Sequence, residues 1–355
     1  MRYLFAAAAF LAFTAPVAVE ARNIVISNDD GLTSNVVALY KALKADGHDV
    51  IVSVPCQNQS GMGAALGLRP LSPLESACRN NAANAGASGA GPMTREGLGS
   101  DFYYVNSTPV MAVLYGLDIV AMKRWGKAPD LVLSGPNEGQ NVGAIAISSG
   151  TISAAQFAAL RGLPAIALSA GQNSAGPDLE NAQSPAIAEK SAELVRALDV
   201  ASKGGRMLPA GLALNINFPN EAKGTKFCAS KIGTYNAYAV SFSENMAASA
   251  SPEMKEMAKA YKTDIPALPG LLLGQNPAKP SPDQLQDESF LHLTCIAISP
   301  MQAGYAADDR NTKQLSGIME RLAPTKESFF PSFGFLKSNN QNLTVRSRPR
   351  SCHGT

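Results

Sequence analysis

Between residues 24 and 218, short apolar runs alternate with segments whose apolar residues recur at helical spacing. Apolar runs of four to eight residues bounded by Gly, Pro or Asn predict buried strands, and a 3.6-residue period predicts helices. The predicted strands are residues 24–26, 49–55, 102–105, 130–134, 164–169 and 212–218, and the predicted helices are residues 36–43, 110–121, 152–161 and 186–198. This alternation predicts an α/β protein with three α/β/α layers and a mostly parallel, Rossmann-like sheet.

Polar, Gly-rich loops follow most of these strands. They read NDDG at 28–31, NQSGMG at 58–63, NSTP at 106–109, GPNEGQNVG at 135–143 and SSGT at 148–151. In open parallel sheets, ligands bind beyond the carboxyl ends of the strands. Because several such loops fall on that one edge, the sequence predicts a binding site there.

The pattern loosens after residue 220. Residues 226–235 predict strand and turn, 244–261 a helix, 290–299 a strand and 312–322 a short helix, while 266–283 are rich in Pro and Gly. We interpret this region as an extension that packs on the first domain and serves oligomerisation, so that the domain spans residues 22–323. Residues 324–355 predict an irregular tail, and residues 76–100, rich in Ala, Asn, Gly and Ser, predict a mobile surface insertion.

The amino terminus has the pattern of a secretory signal peptide. A basic residue, Arg2, precedes an apolar run to about Phe13, and small residues lead to a cleavage site after Ala21. The run is shorter than the roughly 20 apolar residues of a membrane span. We therefore expect residues 1–21 to be removed and the protein to be secreted or periplasmic without a stable membrane anchor. An uncleaved anchor is the alternative.

Charge and cysteine content narrow the functional class. The net charge is +2, which gives no indication of a groove for a nucleic-acid polymer. The five Cys form no C-x-x-C pair. Export permits disulfides, and Cys56 with Cys78 is the candidate pair, whereas Cys228 and Cys295 lie in apolar runs and predict buried thiols.

Histidine is scarce. The chain has three His, and no two of them stand at metal-ligand spacing. This argues against a zinc site and against a Ser-His-Asp triad. His48 is predicted at the surface and His292 in a strand, neither with a catalytic role. A bound metal would therefore have oxygen ligands, which suits Mg²⁺, Mn²⁺ or Ca²⁺.

The adjacent carboxylates of Asp29 and Asp30 are the strongest candidates for such ligands. Neighbouring side chains of a strand point to opposite faces, but a sharp turn at Gly31 would let the two converge. Two crowded carboxylates resist joint ionisation unless a cation lies between them. The alternative is that Asn, Asp and Gly simply form a turn.

Taken together, NDDG, NQSGMG and SGPNEGQNVG resemble the SurE family of metal-dependent 5′-nucleotidases and acid phosphatases, over about residues 22–322. The resemblance implies one divalent cation per subunit. The implied ligands of this cation are Asp29, Asp30, Ser60 and Asn137. Asp29, Asp30 and Asn28 are the implied catalytic residues. The implied substrate-binding residues, which line a phosphate pocket, are Asn58, Gly61, Gly135, Asn141, Ser149, Gly150 and Thr151.

The implied reaction is hydrolysis of a nucleoside monophosphate or another phosphomonoester by a homodimer or tetramer. Some positions depart from the family pattern: Thr33 to Asn35 replace Ala-Pro-Gly, and Gln57 and Gln59 stand where basic residues are common. No G-x-x-x-x-G-K-[ST] loop is present, which excludes a Walker-type nucleotide site. The remaining alternative is an exported nucleotide- or phosphate-binding protein that keeps the fold without turnover.

Overall fold

The structure, a computed structural model, describes residues 20–176, 178–260 and 262–305. The strands are β1 (Asn23–Ser27), β2 (Asp49–Pro55), β3 (Ala90–Pro92), β4 (Phe102–Val105), β5 (Leu131–Asn137), β6 (Ala165–Ser169), β7 (Leu212–Asn217), β8 (Phe227–Ala229), β9 (Tyr238–Ser243), β10 (Gly270–Gln275) and β11 (Ile296–Gln302). The helices are α1 (Ser34–Ala45), α2 (Pro109–Tyr115), α3 (Met122–Trp125), α4 (Ile145–Ser148), α5 (Gly150–Leu160), α6 (Ser184–Ser202), α7 (Met246–Ser249), α8 (Pro252–Ala260) and α9 (Glu288–Leu291). A π-helical segment, Gly116–Ala121, joins α2 to α3.

Nine of these strands form one sheet in the order β3-β4-β2-β1-β5-β6-β7-β11-β8. The six strands from β4 to β7 in this order are parallel to one another. At one edge β3 pairs antiparallel with β4. Toward the other edge β11 pairs antiparallel with β7, and the edge strand β8 is parallel to β11. The predicted mostly parallel sheet is confirmed.

Strand β1 shows why the sheet needs a helical layer on each face. Ile24 and Ile26 belong to one core, together with residues of α1 and α6, while Val25 belongs to a second core with residues of α2 and α5. All three side chains are fully buried. Since successive residues of a strand point to opposite faces, an entirely apolar strand must be covered on both sides. The three-layer α/β/α arrangement follows.

In helix α1 the local sequence determines both where the helix begins and which side chains face the sheet. The hydroxyl of Thr33 accepts a hydrogen bond from the backbone N–H of Val36 at 3.3 Å and so caps the amino end of the helix. Val36, Leu39 and Leu43 follow at helical spacing, and all three are fully buried against the sheet. The cap therefore fixes the direction in which the chain leaves the loop after β1.

Residues 76–100, which the sequence predicts to be a mobile surface insertion, contain a strand and buried side chains. Strand β3 pairs with β4 within this segment, and the side chains of Cys78, Ala82 and Met93 are buried. A disulfide between Cys56 and Cys78 fastens the segment to the end of β2, which confirms the candidate pair. The small-residue composition indicated mobility, but small side chains also let a loop pack closely.

Two further predictions about cysteine and histidine are corrected. Cys228 and Cys295 form a second disulfide, because β8 and β11 are neighbours in the sheet, so they are not buried thiols. His48 is buried rather than exposed, and its Nδ1 accepts a hydrogen bond from the backbone N–H of Arg22 at 3.2 Å. His292 follows helix α9 and is buried there rather than in a strand.

The carboxyl-terminal part of the described chain contains elements that the sequence did not predict. Strands β9 and β10 form a separate antiparallel pair, and β10 lies within residues 266–283, for which the sequence indicates only a high Pro and Gly content. The predicted strand at 290–299 begins only at Ile296, because α9 occupies the residues before it. The predicted helix at 312–322, the tail at 324–355 and residues 1–19 of the predicted signal peptide lie outside the described residues. Among the described helices, none is long and apolar enough to cross a membrane.

At Gly116 the helical layer packs closely against the sheet. It has helical backbone angles, and a Cβ there would lie 2.9 Å from Ser53 Cβ and 3.1 Å from Val25 Cγ1. Gly116→Ala should therefore destabilise the protein by about 1–3 kcal/mol through overpacking, despite the higher helix propensity of Ala. Urea unfolding measures the change. Gly99→Ala, at a position with open space around it, is the matched control and should alter stability by less than about 0.5 kcal/mol.

Candidate active site

The site lies at the carboxyl ends of three adjacent strands, β2, β1 and β5. Asp29 and Asp30 follow β1, Asn58 and Ser60 follow β2, and Asn137 is the last residue of β5. Both aspartates are buried, with 2% of their surface exposed. Parallel strands bring their carboxyl ends to one edge, so loops far apart in sequence meet there.

The turn after β1 has the geometry that the sequence predicts. Gly31 has φ 81°, a left-handed conformation that strains other residues. A Cβ at this position would also lie 3.1 Å from the carbonyl oxygen of Pro55. The backbone N–H of Gln59 donates to the Asp29 carbonyl at 2.8 Å. The turn is thus fixed against the end of β2.

The Asp30 carboxylate is the point where the three loops join. Its Oδ1 accepts hydrogen bonds from Asn58 Nδ2 at 3.0 Å and from Ser60 Oγ at 3.1 Å. Its Oδ2 accepts one from the backbone N–H of Glu138 at 2.7 Å. Hydrogen bonds to a carboxylate stabilise its charged form. Asp30 is therefore oriented by residues from the loops after β2 and β5.

Asp29 faces the amino end of α5. Its Oδ1 accepts a hydrogen bond from Thr151 Oγ1 at 2.5 Å. Asn141 Nδ2 donates to Thr151 Oγ1 at 3.3 Å and to Ser169 Oγ at 2.9 Å, which extends the network across β6. A Cβ on Gly150 would lie 2.7 Å from Asp29 Cβ, so the approach of α5 to this carboxylate requires glycine.

Burial and the neighbouring charge act together on Asp29. Loss of solvent, followed by repulsion from Asp30, raises the pKa of Asp29 from 3.8 to about 7, while the hydrogen bond from Thr151 lowers it. A cation between the two carboxylates would remove this penalty by favouring both charged forms. The site therefore has the electrostatics of a cation site.

The surrounding oxygens fit the same ligand. Asn28 Oδ1 and Asn137 Oδ1 are buried, and neither accepts a hydrogen bond within the described part of the chain. A buried acceptor without a partner is costly, and hard divalent cations bind carboxylate, hydroxyl and amide oxygens. Among the described residues, no three or more His, Cys, Asp and Glu side chains are grouped so that they could hold a metal ion by themselves. Any ligand set here combines two carboxylates with neutral oxygens.

The predicted residues do not all contribute in the same way. Hydrogen bonds join side chains at six of the predicted positions, Asp29, Asp30, Asn58, Ser60, Asn141 and Thr151, and Gly150 lies against Asp29. Asn137 precedes Glu138, whose N–H donates to Asp30, and its own Nδ2 donates to the Gly139 carbonyl at 2.8 Å. Gly61 is exposed, and a Cβ built there would meet no atom within 4 Å. Asn28 donates through Nδ2 to the carbonyl of Gly31 at 3.4 Å.

Two of the predicted binding residues have clear structural roles. The hydroxyl of Ser149 accepts a hydrogen bond from the N–H of Ile152 at 3.1 Å and caps helix α5. Gly135 has φ 115° and precedes a cis peptide bond to Pro136, and a Cβ there would lie 2.1 Å from the carbonyl oxygen of Leu168. Gly135 thus allows β5 to pack against β6 where the strand ends.

The sequence analysis missed an ion pair beside the site. Arg79 donates to the Asp30 carbonyl at 2.7 Å and to Glu138 Oε2 at 2.8 Å, and the Glu138 side chain is fully buried. Since Glu138 donates its N–H to Asp30, the three residues form a closed ring. The signal was present: Arg79 follows Cys78, whose pairing with Cys56 brings it to the end of β2.

The chain is similar in sequence to known proteins. The family model of the survival protein SurE matches residues 24–262. The chain is 35% identical over 210 residues to a protein named 5′-nucleotidase SurE from Desulfatibacillum aliphaticivorans, a match that covers 58% of this chain and 70% of that protein. It is also 35% identical over 205 residues to an acid phosphatase of Yarrowia lipolytica, covering 55% of this chain and 56% of the relative.

A solved structure shares the fold. The crystal structure of the SurE protein from Aquifex aeolicus superposes with a TM-score of 0.57, covering 84% of this chain and 99% of that one, at 23% sequence identity. At this identity the likeness describes the fold. The two chains therefore share a fold.

The buried carboxylate pair makes stability depend on pH in the metal-free protein. Because folding raises the pKa of Asp29 to about 7, its protonated form stabilises the fold fully below about pH 4, and this contribution is lost as pH rises through 7. In EDTA, wild type should lose roughly 2–4 kcal/mol of unfolding free energy between pH 4 and pH 8 through this group, and Asp29→Asn should not.

Urea unfolding at several pH values measures this difference. Asp118→Asn, which changes an exposed carboxylate paired with Arg161, is the matched control and should keep the wild-type pH dependence. If Asp29→Asn followed the wild-type curve, the carboxylate pair would not be the source of the effect.

The ring of Asp30, Glu138 and Arg79 is tested by a double-mutant cycle. Arg79→Met removes the cation beside a fully buried carboxylate and should cost roughly 3–5 kcal/mol of stability. Adding Glu138→Gln should recover most of that loss, because the buried negative charge is gone. The partly exposed Arg196, which pairs with Asp46, is the control, and Arg196→Met should cost about 1 kcal/mol or less. Additive effects of the Arg79 and Glu138 changes would contradict the coupling.

Proposed function

The chain belongs to the SurE family, and from this membership and its site we propose that it is a divalent-metal-dependent phosphomonoester hydrolase that acts on nucleoside monophosphates as a 5′-nucleotidase or acid phosphatase. The observation that carries the proposal is the pair of adjacent, buried carboxylates of Asp29 and Asp30, held by loops from neighbouring strands. Two buried, adjacent carboxylates repel each other, which costs folding free energy, and such costly pairs are typical of functional sites.

The residues that would hold one divalent cation, Mg²⁺, Mn²⁺ or Ca²⁺, are Asp29, Asp30, Ser60 and Asn137. Supporting this set are the two carboxylates, the Ser60 hydroxyl beside Asp30 and the buried Asn137 Oδ1 that has no partner within the described chain. When bound, such a cation polarises a phosphoryl oxygen and offsets the charge that develops on it.

The chain's own groups would position the substrate. Asn58 carries an amide group beside the carboxylate pair, and amide donors suit the oxygens of a phosphoryl group. Asn141 donates to Thr151 and Ser169, so it would act by holding the Thr151 hydroxyl in place beside Asp29. The amino end of α5, at Gly150 and Thr151, directs backbone N–H groups toward the same place and favours an anion there. Hydrolysis adds water across the P–O bond and releases phosphate and the alcohol, here a nucleoside.

Export and self-association belong to the same proposal. Two disulfides, Cys56–Cys78 and Cys228–Cys295, support an oxidising compartment, as the amino-terminal sequence also does. The β9–β10 pair exposes Val240, Phe242 and Leu271, and apolar side chains of this kind support a surface for a homodimer or tetramer.

Turnover of AMP by the purified full chain tests the proposed activity. We expect phosphate release with Mn²⁺ or Mg²⁺ and its loss in excess EDTA. Asp29→Asn should lower kcat by at least about 100-fold, since it removes a charge that acts on the transition state. Asp118→Asn, at an exposed position paired with Arg161, is the matched control and should retain wild-type turnover.

Two outcomes would contradict the proposal. An Asp29→Asn protein with full metal-dependent turnover would remove these carboxylates from the reaction. AMP binding without phosphate release, under any divalent metal, would favour an exported binding protein that shares the fold.

A further inference from the structure

A buried carboxylate outside the candidate active site, that of Glu288, has no role in the chemistry described above. Glu288 is the first residue of α9 and is fully buried. Its Oε2 accepts a hydrogen bond from Asn215 Nδ2 at 2.9 Å. Glutamate is seldom fully buried, because removing its carboxylate from water is costly, so this group requires an explanation.

Asn215 connects Glu288 to the loop after β5. Its Nδ2 carries two hydrogens and also donates to the Asn141 carbonyl at 3.1 Å. Asn217, on the same strand, donates through Nδ2 to that carbonyl at 3.2 Å, and its Oδ1 accepts from the Asn141 N–H at 2.9 Å. Two side chains of β7 therefore hold the backbone of Asn141.

The side chain of Asn141 extends these hydrogen bonds to the carboxylate site. Its Nδ2 donates to Thr151 Oγ1 at 3.3 Å, and Thr151 Oγ1 donates to Asp29 Oδ1 at 2.5 Å. Every member of this series is buried, from Glu288 through Asn215, Asn141 and Thr151 to Asp29. Glu288 is thus linked to a candidate cation ligand through a continuous buried network.

The loop after β5 also packs against the segment that contains Glu288. Gly143 has φ 57°, and a Cβ there would lie 2.9 Å from Ser289 Oγ. The backbone N–H of Gly143 and the hydroxyl of Ser299 interact with the Glu288 carboxylate and lower its pKa, which favours the charged form. A change at Glu288 can therefore reach Asn141 both through Asn215 and through this packing.

The charge of Glu288 decides which end of the Asn215 amide faces it. An ionised carboxylate only accepts hydrogen bonds, so it keeps Nδ2 toward itself and leaves the second hydrogen of that nitrogen for Asn141. A protonated carboxyl group can donate, and Asn215 Oδ1 is a buried acceptor with no hydrogen-bond partner within the described part of the chain. Rotation of the amide would satisfy both groups but would bring Oδ1 against the Asn141 carbonyl, where two acceptors repel.

We propose that Glu288 is a positioning residue for phosphomonoester hydrolysis: its ionised carboxylate orients Asn215, which holds Asn141 and, through it, the Thr151 hydroxyl beside Asp29. The inference rests on the proposed function and extends it to a residue that is not a candidate cation ligand. Protonation of Glu288 releases Asn215 from this orientation, so turnover requires the ionised form.

The surroundings of Glu288 place its ionisation near neutral pH. Burial, together with the charge of the neighbouring Asp287, raises the pKa of Glu288 from 4.5 to about 7, and the hydrogen bonds to its carboxylate oppose this shift. Lys231 Nζ lies 3.5 Å from Asp287 Oδ1, and burial lowers the pKa of His292, so that ring is neutral at pH 7. The facing strands β7 and β11 contribute a neutral amide and a neutral hydroxyl.

The pH dependence of kcat for AMP, with saturating Mn²⁺, tests the proposal. A bound cation favours the ionised form of Asp29, so that group does not titrate in the same range. Wild-type kcat should fall as pH drops from about 8 to about 6, with an apparent pKa near 7. Glu288→Gln can donate to Asn215 Oδ1 as the protonated acid does. Its kcat at pH 8 should be roughly tenfold lower, about the effect of losing one hydrogen bond, and should lack the transition.

Two further variants complete the kinetic test. Asn215→Ala removes the amide through which Glu288 acts, so it should also lack the transition near pH 7. Glu96→Gln, which changes an exposed carboxylate, is the matched control and should keep the wild-type profile.

Two measurements separate positioning from stability and from turnover. Because folding raises the pKa of Glu288, its charge costs stability at pH 8, and Glu288→Gln should be no less stable than wild type in urea. Hydrogen exchange of residues 139–144 at pH 8, followed by mass spectrometry, should be faster in Glu288→Gln than in wild type, whether or not phosphate is released.

The proposal is overturned if Glu288→Gln keeps the wild-type pH profile, if it loses stability together with activity, or if it leaves exchange of residues 139–144 unchanged. A wild type that releases no phosphate with any divalent metal overturns the proposed function instead. The exchange measurement then decides by itself whether Glu288 holds the loop.

Discussion

The repulsion between two carboxylates buried side by side is the constraint on which this structure depends. Asp29 and Asp30 lie at the end of the central strand, where water cannot screen them. Left alone, burial and mutual repulsion hold the pKa of Asp29 near 7. The loops after β2 and β5 and the amino end of α5 each contribute hydrogen-bond donors to one of the two carboxylates, and these bonds offset part of the cost of burying them.

The sheet supplies the means of bringing those donors together. Strands β2, β1 and β5 are adjacent, so Asn58, Ser60 and the N–H of Glu138 reach Asp30 from both sides. The next strand along, β6, brings Ser169 to Asn141, which extends the network beyond Asp29. Each donor is weak by itself, but the parallel order of strands places them all at one edge.

A second ring of contacts fixes the site from outside. The Cys56–Cys78 disulfide holds the segment after β2 so that Arg79 reaches both the Asp30 carbonyl and the buried Glu138 carboxylate. The positive charge of Arg79 offsets the third carboxylate of the region, and its two bonds tie the turn after β1 to the loop after β5. On the far side, the tie between Gln140 and Tyr238 extends the same loop toward the β9–β10 pair.

The sequence by itself determined the elements and chemistry that depend on local pattern. Apolar runs predicted the central strands, Gly31 predicted the sharp turn, and the order of NDDG, NQSGMG and SGPNEGQNVG indicated the family. These succeed because strand burial, left-handed turns and oxygen-rich loops are each set by residues close together in the chain. Only the tertiary structure decided which distant groups meet. Arg79 with Glu138, Cys228 with Cys295, the burial of His48 and the β9–β10 pair all depend on contacts between segments far apart in sequence, whose partners are fixed by strand order and packing rather than by local composition.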